Sequence, residues 1–278
     1  MDKIKILEAC HKPGIVYQDD IYTPIHVGRA ISKYKEEMAG MIGDDTGENI
    51  SEKNPKYCEL TAQYWAWKNM HDVEYIGFCH YRRFFDIKIT PERVTQLLSH
   101  HDVIALKKSF PFPICMDFLR YITLDDFTIL LMVIKKKYPE YEQTMIRFLH
   151  GNFLYPLNML ICRKELFDQY AEWLFGILLE CEKHMKPLPY TRANRALAYM
   201  GEYLMAVYMM HHQQRMYFVD VNDSPGVPKH RSFRYKCAVP LMKGIHGFYT
   251  LFVKKPLTLD SYYQEAVLTG FKQNHIII

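Results

Sequence analysis

Apolar and polar residues alternate at the start of the chain. Ile4-Lys5-Ile6-Leu7 reads as a strand that ends at His11-Lys12-Pro13-Gly14. Ile25-His26-Val27 reads as a second short strand, and residues 43–49 as a polar loop with Asp44 and Asp45 in a solvated turn. Asn54-Pro55 has the form of an N-cap followed by Pro at the first helical position. It predicts a helix to about Asn69 with Tyr57, Leu60, Tyr64 and Lys68 along one side. Tyr75-Ile76-Gly77-Phe78-Cys79 is a short strand running into His80-Tyr81-Arg82-Arg83. Thr90-Pro91 begins the next helix, and Asp102-Val103-Ile104-Ala105-Leu106 is the strand after it. Thr123 with Asp126 resembles a capping box, opening a helix with Leu124, Phe127, Leu131 and Ile134 inside. Leu157-Asn158-Met159-Leu160-Ile161 reads as a strand, followed by a helix whose inner face holds Leu166, Phe167, Tyr170, Trp173, Leu174, Ile177 and Leu178. A helix over about residues 195–211 and a strand at Met216-Tyr217-Phe218-Val219 complete the pattern.

Strands alternating with helices imply an α/β fold, a mostly parallel sheet flanked by helices. The stretch after about Asp223 is basic and rich in Pro and Gly, so the sequence divides into a main domain, residues 1–223, and a basic C-terminal extension, residues 224–278. With 278 residues the chain is long enough for one large α/β domain and an appendage. A formal charge of only +4 gives no sign of nucleic-acid binding. Seven cysteines stand as singles without C-x-x-C or zinc spacing, which reads as reduced thiols and a cytoplasmic setting. No signal peptide is read at the start. The longest apolar run, residues 129–134, is far short of the ~20 residues a membrane helix needs.

In open α/β sheets ligands bind beyond the carboxyl ends of the strands. Two such ends are unusually polar here, His11-Lys12 and His80-Tyr81-Arg82-Arg83. Two Arg and a His leaving a buried strand call for anionic partners, and a diphosphate suits guanidinium forks. The competing reading pairs one Arg with a structural carboxylate such as Glu59 and leaves the other solvated. The chain has no D-x-D triplet, the usual holder of a divalent ion against a diphosphate, and its adjacent His pairs are poor metal clamps. The ATPase, dinucleotide and nucleophile-elbow motifs are also missing.

Three blocks then carry a family resemblance: Asn49-Ile50-Ser51-Glu52-Lys53-Asn54, Tyr57-Cys58-Glu59-Leu60-Thr61 with Tyr64-Trp65-Ala66-Trp67-Lys68-Asn69, and Gly77-Phe78-Cys79-His80-Tyr81-Arg82-Arg83. Together they resemble the signature of bacterial capsular-polysaccharide glycosyltransferases, a family first catalogued as a domain of unknown function. The likeness runs from Ile4 to about Val219. It implies transfer of a sugar from a UDP-sugar, UDP-galactofuranose or UDP-galactose, to a glycan or lipid-linked acceptor in surface-polysaccharide synthesis. A further likeness to GT-A-type transferases places His80 and Arg82 where that fold has its two metal-binding carboxylates. Cationic side chains are therefore expected to replace the ion, with no cofactor required and a divalent metal disfavoured though not excluded. The same likeness gives Asn158 a place at the sugar and makes Glu202 the general base of an inverting reaction.

The implied donor-binding set is His11, Lys12, Glu59, His80, Tyr81, Arg82, Arg83 and Asn158, with Glu202 catalytic and no metal ligand. Plainer roles compete with these. Glu202 would pair with Arg192 or Arg195, Asn158 would satisfy backbone groups, and His11 and Lys12 would be ordinary strand-end residues. A nucleotide-sugar-binding module without turnover is the alternative to an enzyme. The basic tail, with His230-Arg231, Lys254-Lys255, Phe233, Tyr235, Phe248 and Tyr249, suits peripheral contact with an anionic membrane at the inner face of the cell under either reading.

Overall fold

The computed structural model describes residues 3–188, 194–225 and 233–278, the first five of the last segment by backbone alone. Arg192, the pair His230-Arg231 and the side chains of Phe233 and Tyr235 therefore lie outside the described residues. The chain forms two compact units. The first gathers the described residues of 1–107, 155–173 and 213–230, and the second those of 108–154, 174–212 and 231–278.

In chain order the strands are β1 (Ile4–Cys10), β2 (Tyr22–His26), β3 (Ile42–Gly43), β4 (Tyr75–His80), β5 (Phe84–Phe85), β6 (Val103–Leu106), β7 (Lys108–Ser109), β8 (Phe153–Leu154), β9 (Leu160–Arg163), β10 (Met216–Val219) and β11 (Val221–Asn222). Seven of them build the sheet of the first unit in the order β10-β6-β9-β4-β1-β2-β3. Only β9 runs against the rest, pairing antiparallel with both β4 and β6. The mostly parallel sheet flanked by helices is thus the architecture found. Parallel strands are covered on both faces, and β4 and β6 are apolar almost throughout for that reason, as is β1 apart from Lys5 and Glu8.

On one face Ile4, Ile6, Tyr75, Ile104 and Ile161 pack with Val94, Leu97 and Leu98 of the Pro91–His100 helix. That helix starts as expected, with the Thr90 side chain accepting from the Arg93 N–H at 3.2 Å. On the other face Phe78 meets Phe167 of the Lys164–His184 helix, ring centroids 4.8 Å apart. Gly77 is dictated by its neighbours, because a Cβ there would stand 2.8 Å from Ile161 and 3.0 Å from Ile6.

Three local expectations are corrected. Asn54 is not an N-cap. It is the first residue of a four-residue turn, Asn54–Tyr57, and the main helix, Leu60–Asn69, begins only after Cys58 at φ 48°, ψ −126°. The Asn54 side chain holds this break, donating to the Cys58 carbonyl at 2.8 Å and the Thr61 hydroxyl at 3.2 Å. Second, Leu157 and Asn158 are not strand residues. They form a left-handed turn at φ 71° and 50°, and the strand begins at Leu160. Third, Asp44 is fully buried rather than solvated. Its carboxylate accepts from the N–H groups of Gly28 (2.8 Å) and Arg29 (3.1 Å) and from the Ser51 hydroxyl.

The second unit is helical apart from the short β7–β8 pair. The Thr123 cap forms, accepting from the Asp126 N–H at 3.1 Å. Tyr203 of the Ala196–His211 helix stacks on Phe118 and donates to the buried Asp117 at 2.8 Å. The tail joins this unit. Its Phe233–Phe252 helix is followed by a segment in which Leu259 N–H donates to Glu142 at 2.9 Å and Asp260 pairs with Lys135.

Candidate functional site

Within the first unit the register aligns the carboxyl ends of four parallel strands on one edge. Ala9 lies opposite both Ile25 and His80, and His26 lies opposite Gly43. His11-Lys12, Gly28-Arg29, Asp44-Asp45 and His80-Tyr81-Arg82-Arg83 all emerge there, on the side where open α/β sheets bind ligands.

The polar end of β4 splits its work. His80 is half-buried and its Nε2 lies 2.9 Å from the Leu157 carbonyl. A carbonyl only accepts, so this nitrogen carries the proton and the ring is committed to the left-handed turn. The neighbouring Asn158 is gripped twice. Its carbonyl accepts from Gln63 at 2.8 Å, and its side-chain amide donates to Glu59 Oε1 at 2.7 Å. Glu59 therefore serves Asn158 and not the arginines. His80, Glu59, Asn158 and Gln63 together clamp a backbone shape that a free chain adopts rarely.

Tyr81 turns the other way. The His11 ring meets it edge-on at 5.5 Å, and the Arg82 guanidinium lies over it at 4.9 Å. Arg82 and Arg83 are exposed, and among the described residues neither takes part in an ion pair. Lys12, next to His11 in sequence, is half-buried. The structure thus brings together His11, Tyr81 and Arg82 in one contact set, and Glu59, His80 and Asn158 in another. The bond between His80 and Tyr81 joins the two. Glu202 belongs to the second unit, half-buried in its helix next to Tyr203.

Residues that the sequence did not single out also stand at this edge. Arg29 follows the left-handed Gly28 (φ 68°) and lies 3.8 Å from Asp45. His26 is buried, its Nε2 2.9 Å from the Ser32 hydroxyl, and burial lowers its pKa. Glu8 is completely buried on β1. It accepts from the Tyr17 N–H at 3.0 Å, and burial pushes its carboxyl up to about 7. The strand period gave a clue to Glu8, because Ile4, Ile6 and Glu8 share a face. Arg29 carried no comparable signal.

The signature blocks prove to be largely scaffolding. Ser51 ties Ala30 N–H (3.1 Å) to Asp44, Tyr64 donates to Glu48 at 2.8 Å, and Trp65 donates to Thr46 at 2.9 Å. The polar 43–49 loop is therefore tied to the Leu60–Asn69 helix, with Asp44 buried while Thr46, Gly47 and Glu48 stay exposed. Among the described residues no three His, Cys, Asp or Glu side chains converge as a metal-binding group.

No curated protein matches this chain. Among solved structures it is similar to the apo form of WbbM, a bifunctional glycosyltransferase, with a TM-score of 0.70 and 28% identity. The match covers 84% of this chain and 48% of that one, so the chain spans about half the length of that relative. The family model described as a domain of unknown function, DUF4422, matches residues 5–214, nearly all of the first unit and much of the second. This chain belongs to the DUF4422 family.

Proposed function

We propose that the protein is a glycosyltransferase that takes its sugar from a UDP-sugar and passes it to a glycan or lipid-linked acceptor in surface-polysaccharide synthesis. The observation that carries this reading is the pair Arg82 and Arg83, exposed at the carboxyl edge of a parallel sheet and outside any ion pair among the described residues. Guanidinium groups held in such a place suit a diphosphate, whose oxygens they meet in paired, charge-assisted hydrogen bonds. The likeness to a bifunctional glycosyltransferase at 28% identity supports the same reaction class.

Arg82, Arg83 and Lys12 are the groups assigned to the donor diphosphate, with Tyr81 and His11 shaping its surroundings. His80, Glu59 and Asn158 hold the backbone turn beside it. As the sugar–phosphate bond breaks, negative charge grows on the leaving diphosphate, and fixed cations stabilise it. That supports a reaction without a divalent ion. Glu202 is assigned as general base on the acceptor hydroxyl, giving inversion, on the motif likeness alone.

The test is calorimetric titration with UDP. Arg82→Ala and Arg83→Ala are each expected to weaken binding by about 2 kcal/mol, roughly thirtyfold, through loss of charge-assisted hydrogen bonds. Both side chains are exposed, so the fold should tolerate the changes. Unchanged affinity in both variants would remove the diphosphate assignment. Tight UDP binding without hydrolysis or transfer across an acceptor panel would instead make the protein a binding module.

A further inference from the structure

The helix Phe233–Phe252 has two unlike faces. Val239, Met242, His246 and Tyr249 recur at intervals of three and four residues and are half-buried, with His246 Nε2 bonded to the His150 carbonyl at 2.9 Å. That side rests on the second unit. Leu241, Ile245, Phe248 and Phe252 recur with the same spacing on a second side about 110° around the helix, and they are 65, 48, 65 and 72% exposed. Leu251 within the helix and Val253 and Leu257 beyond its end are further exposed apolar side chains. Single exposed apolar residues are ordinary on a protein surface, but a continuous stripe of this length marks a contact face.

Charge identifies the partner. Between Ser224 and Leu259 lie seven of the 35 Lys and Arg residues and none of the 31 Asp and Glu, so this stretch carries more than the whole chain's formal charge of +4. Lys254 and Lys255 are exposed just beyond the end of the helix that carries the stripe. A second copy of the same face would set these lysines against one another with no acid in that stretch to pair them. An anionic lipid surface meets both demands. Its headgroups neutralise the lysines while the apolar side chains enter the acyl boundary. No helix among the described residues is long and apolar enough to cross a membrane, so the geometry is that of a helix lying in the interface.

We infer that the exposed apolar face of the Phe233–Phe252 helix, with Lys254 and Lys255 beyond its end, is a docking surface for anionic membrane lipid. The inference stands apart from the catalytic reading, because lipid binding is measured without turnover. The full chain is co-sedimented with vesicles of phosphatidylcholine alone and with vesicles of equal parts phosphatidylcholine and phosphatidylglycerol. Binding is expected to the anionic vesicles only, and to fall as salt is raised. Lys254→Gln with Lys255→Gln should weaken it about fivefold per lysine, the equivalent of about 1 kcal/mol for each charge near the surface. Phe248→Glu with Phe252→Glu should abolish it while leaving the circular-dichroism spectrum unchanged.

Equal pelleting with neutral and anionic vesicles, or wild-type pelleting that ignores salt, would overturn the inference without any variant being needed. So would a dimer, seen by light scattering, that the double Phe variant dissociates. That outcome would give the stripe to a second copy.

Discussion

Glu8 is a carboxyl held in a setting at odds with its chemistry. It has no exposed surface, and its carboxylate's hydrogen bond from the Tyr17 N–H does not offset the loss of water around a charge. Its carboxyl ionises at about 7 in the folded protein against 4.5 ordinarily. The native state therefore holds the proton over a range where the unfolded chain has released it. Glu8 costs the fold nothing below the ordinary value, and its penalty grows as pH rises to about 7, reaching about 3 kcal/mol. Glu8→Gln keeps an acceptor for Tyr17 and never ionises. Urea denaturation should find the variant close to wild type at about pH 5 and more stable by about 1–3 kcal/mol at about pH 8. Equal pH–stability slopes in the two proteins would show that Glu8 is not the group responsible.

At the scale of elements, two irregular turns decide where the polar side chains go. Cys58 breaks the helix that Asn54-Pro55 opens, in a conformation (φ 48°, ψ −126°) that side-chain-bearing residues rarely adopt. The break sets Glu59 at the start of the Leu60–Asn69 helix, from which it reaches Asn158. Cys58→Gly should relieve the strain and stabilise the fold by about 1 kcal/mol in urea titration, whereas Cys58→Ala should bring no gain. A Gly variant less stable than the Ala variant would mean that the strain is not stored there. The sequence at Leu157-Asn158 reads as strand because it leads into Leu160-Ile161, which is strand, with only Asn158 interrupting the apolar run. Asn tolerates the left-handed region, but nothing local demands it. The demand comes from His80 and Gln63, 77 and 95 residues away in the chain.

For the molecule as a whole, charge is distributed unevenly. The cations of the strand ends sit on the first unit, the basic tail belongs to the second, and the short 43–49 loop that holds two adjacent aspartates is spent on structure. Asp44 satisfies three donors and Asp45 faces Arg29. With those carboxylates engaged, cations take the place of a metal in the proposed reaction. Turnover is accordingly expected to survive EDTA with little loss, and Glu202→Gln to lower turnover by about a hundredfold while UDP affinity stays constant. Loss of turnover on chelation, restored by magnesium or manganese, would show that the charge is carried by an ion instead. A Glu202→Gln variant within a few-fold of wild type would send the search for the base to other residues.

The sequence by itself determined what periodicity and local chemistry encode. Ile4-Lys5-Ile6-Leu7 reads as a strand from its alternation, and Tyr75-Ile76-Gly77-Phe78-Cys79 and Asp102-Val103-Ile104-Ala105-Leu106 as short apolar strands; the structure has strands at all three. Thr90 and Thr123 read as caps because a hydroxyl three residues ahead of an orphan N–H has one natural use. The cationic end of β4 was legible for the same reason, since charge leaving a buried strand stands out. Tertiary structure alone decided the roles within that end. His80 went to a carbonyl, Glu59 to Asn158, and Arg82 and Arg83 to solvent, because hydrogen-bond partners are chosen by distance in space. It also decided that Asp44 is buried and that the helix of the basic tail keeps an apolar stripe outside. Burial is fixed by what packs against a residue, and no spacing along the chain records that.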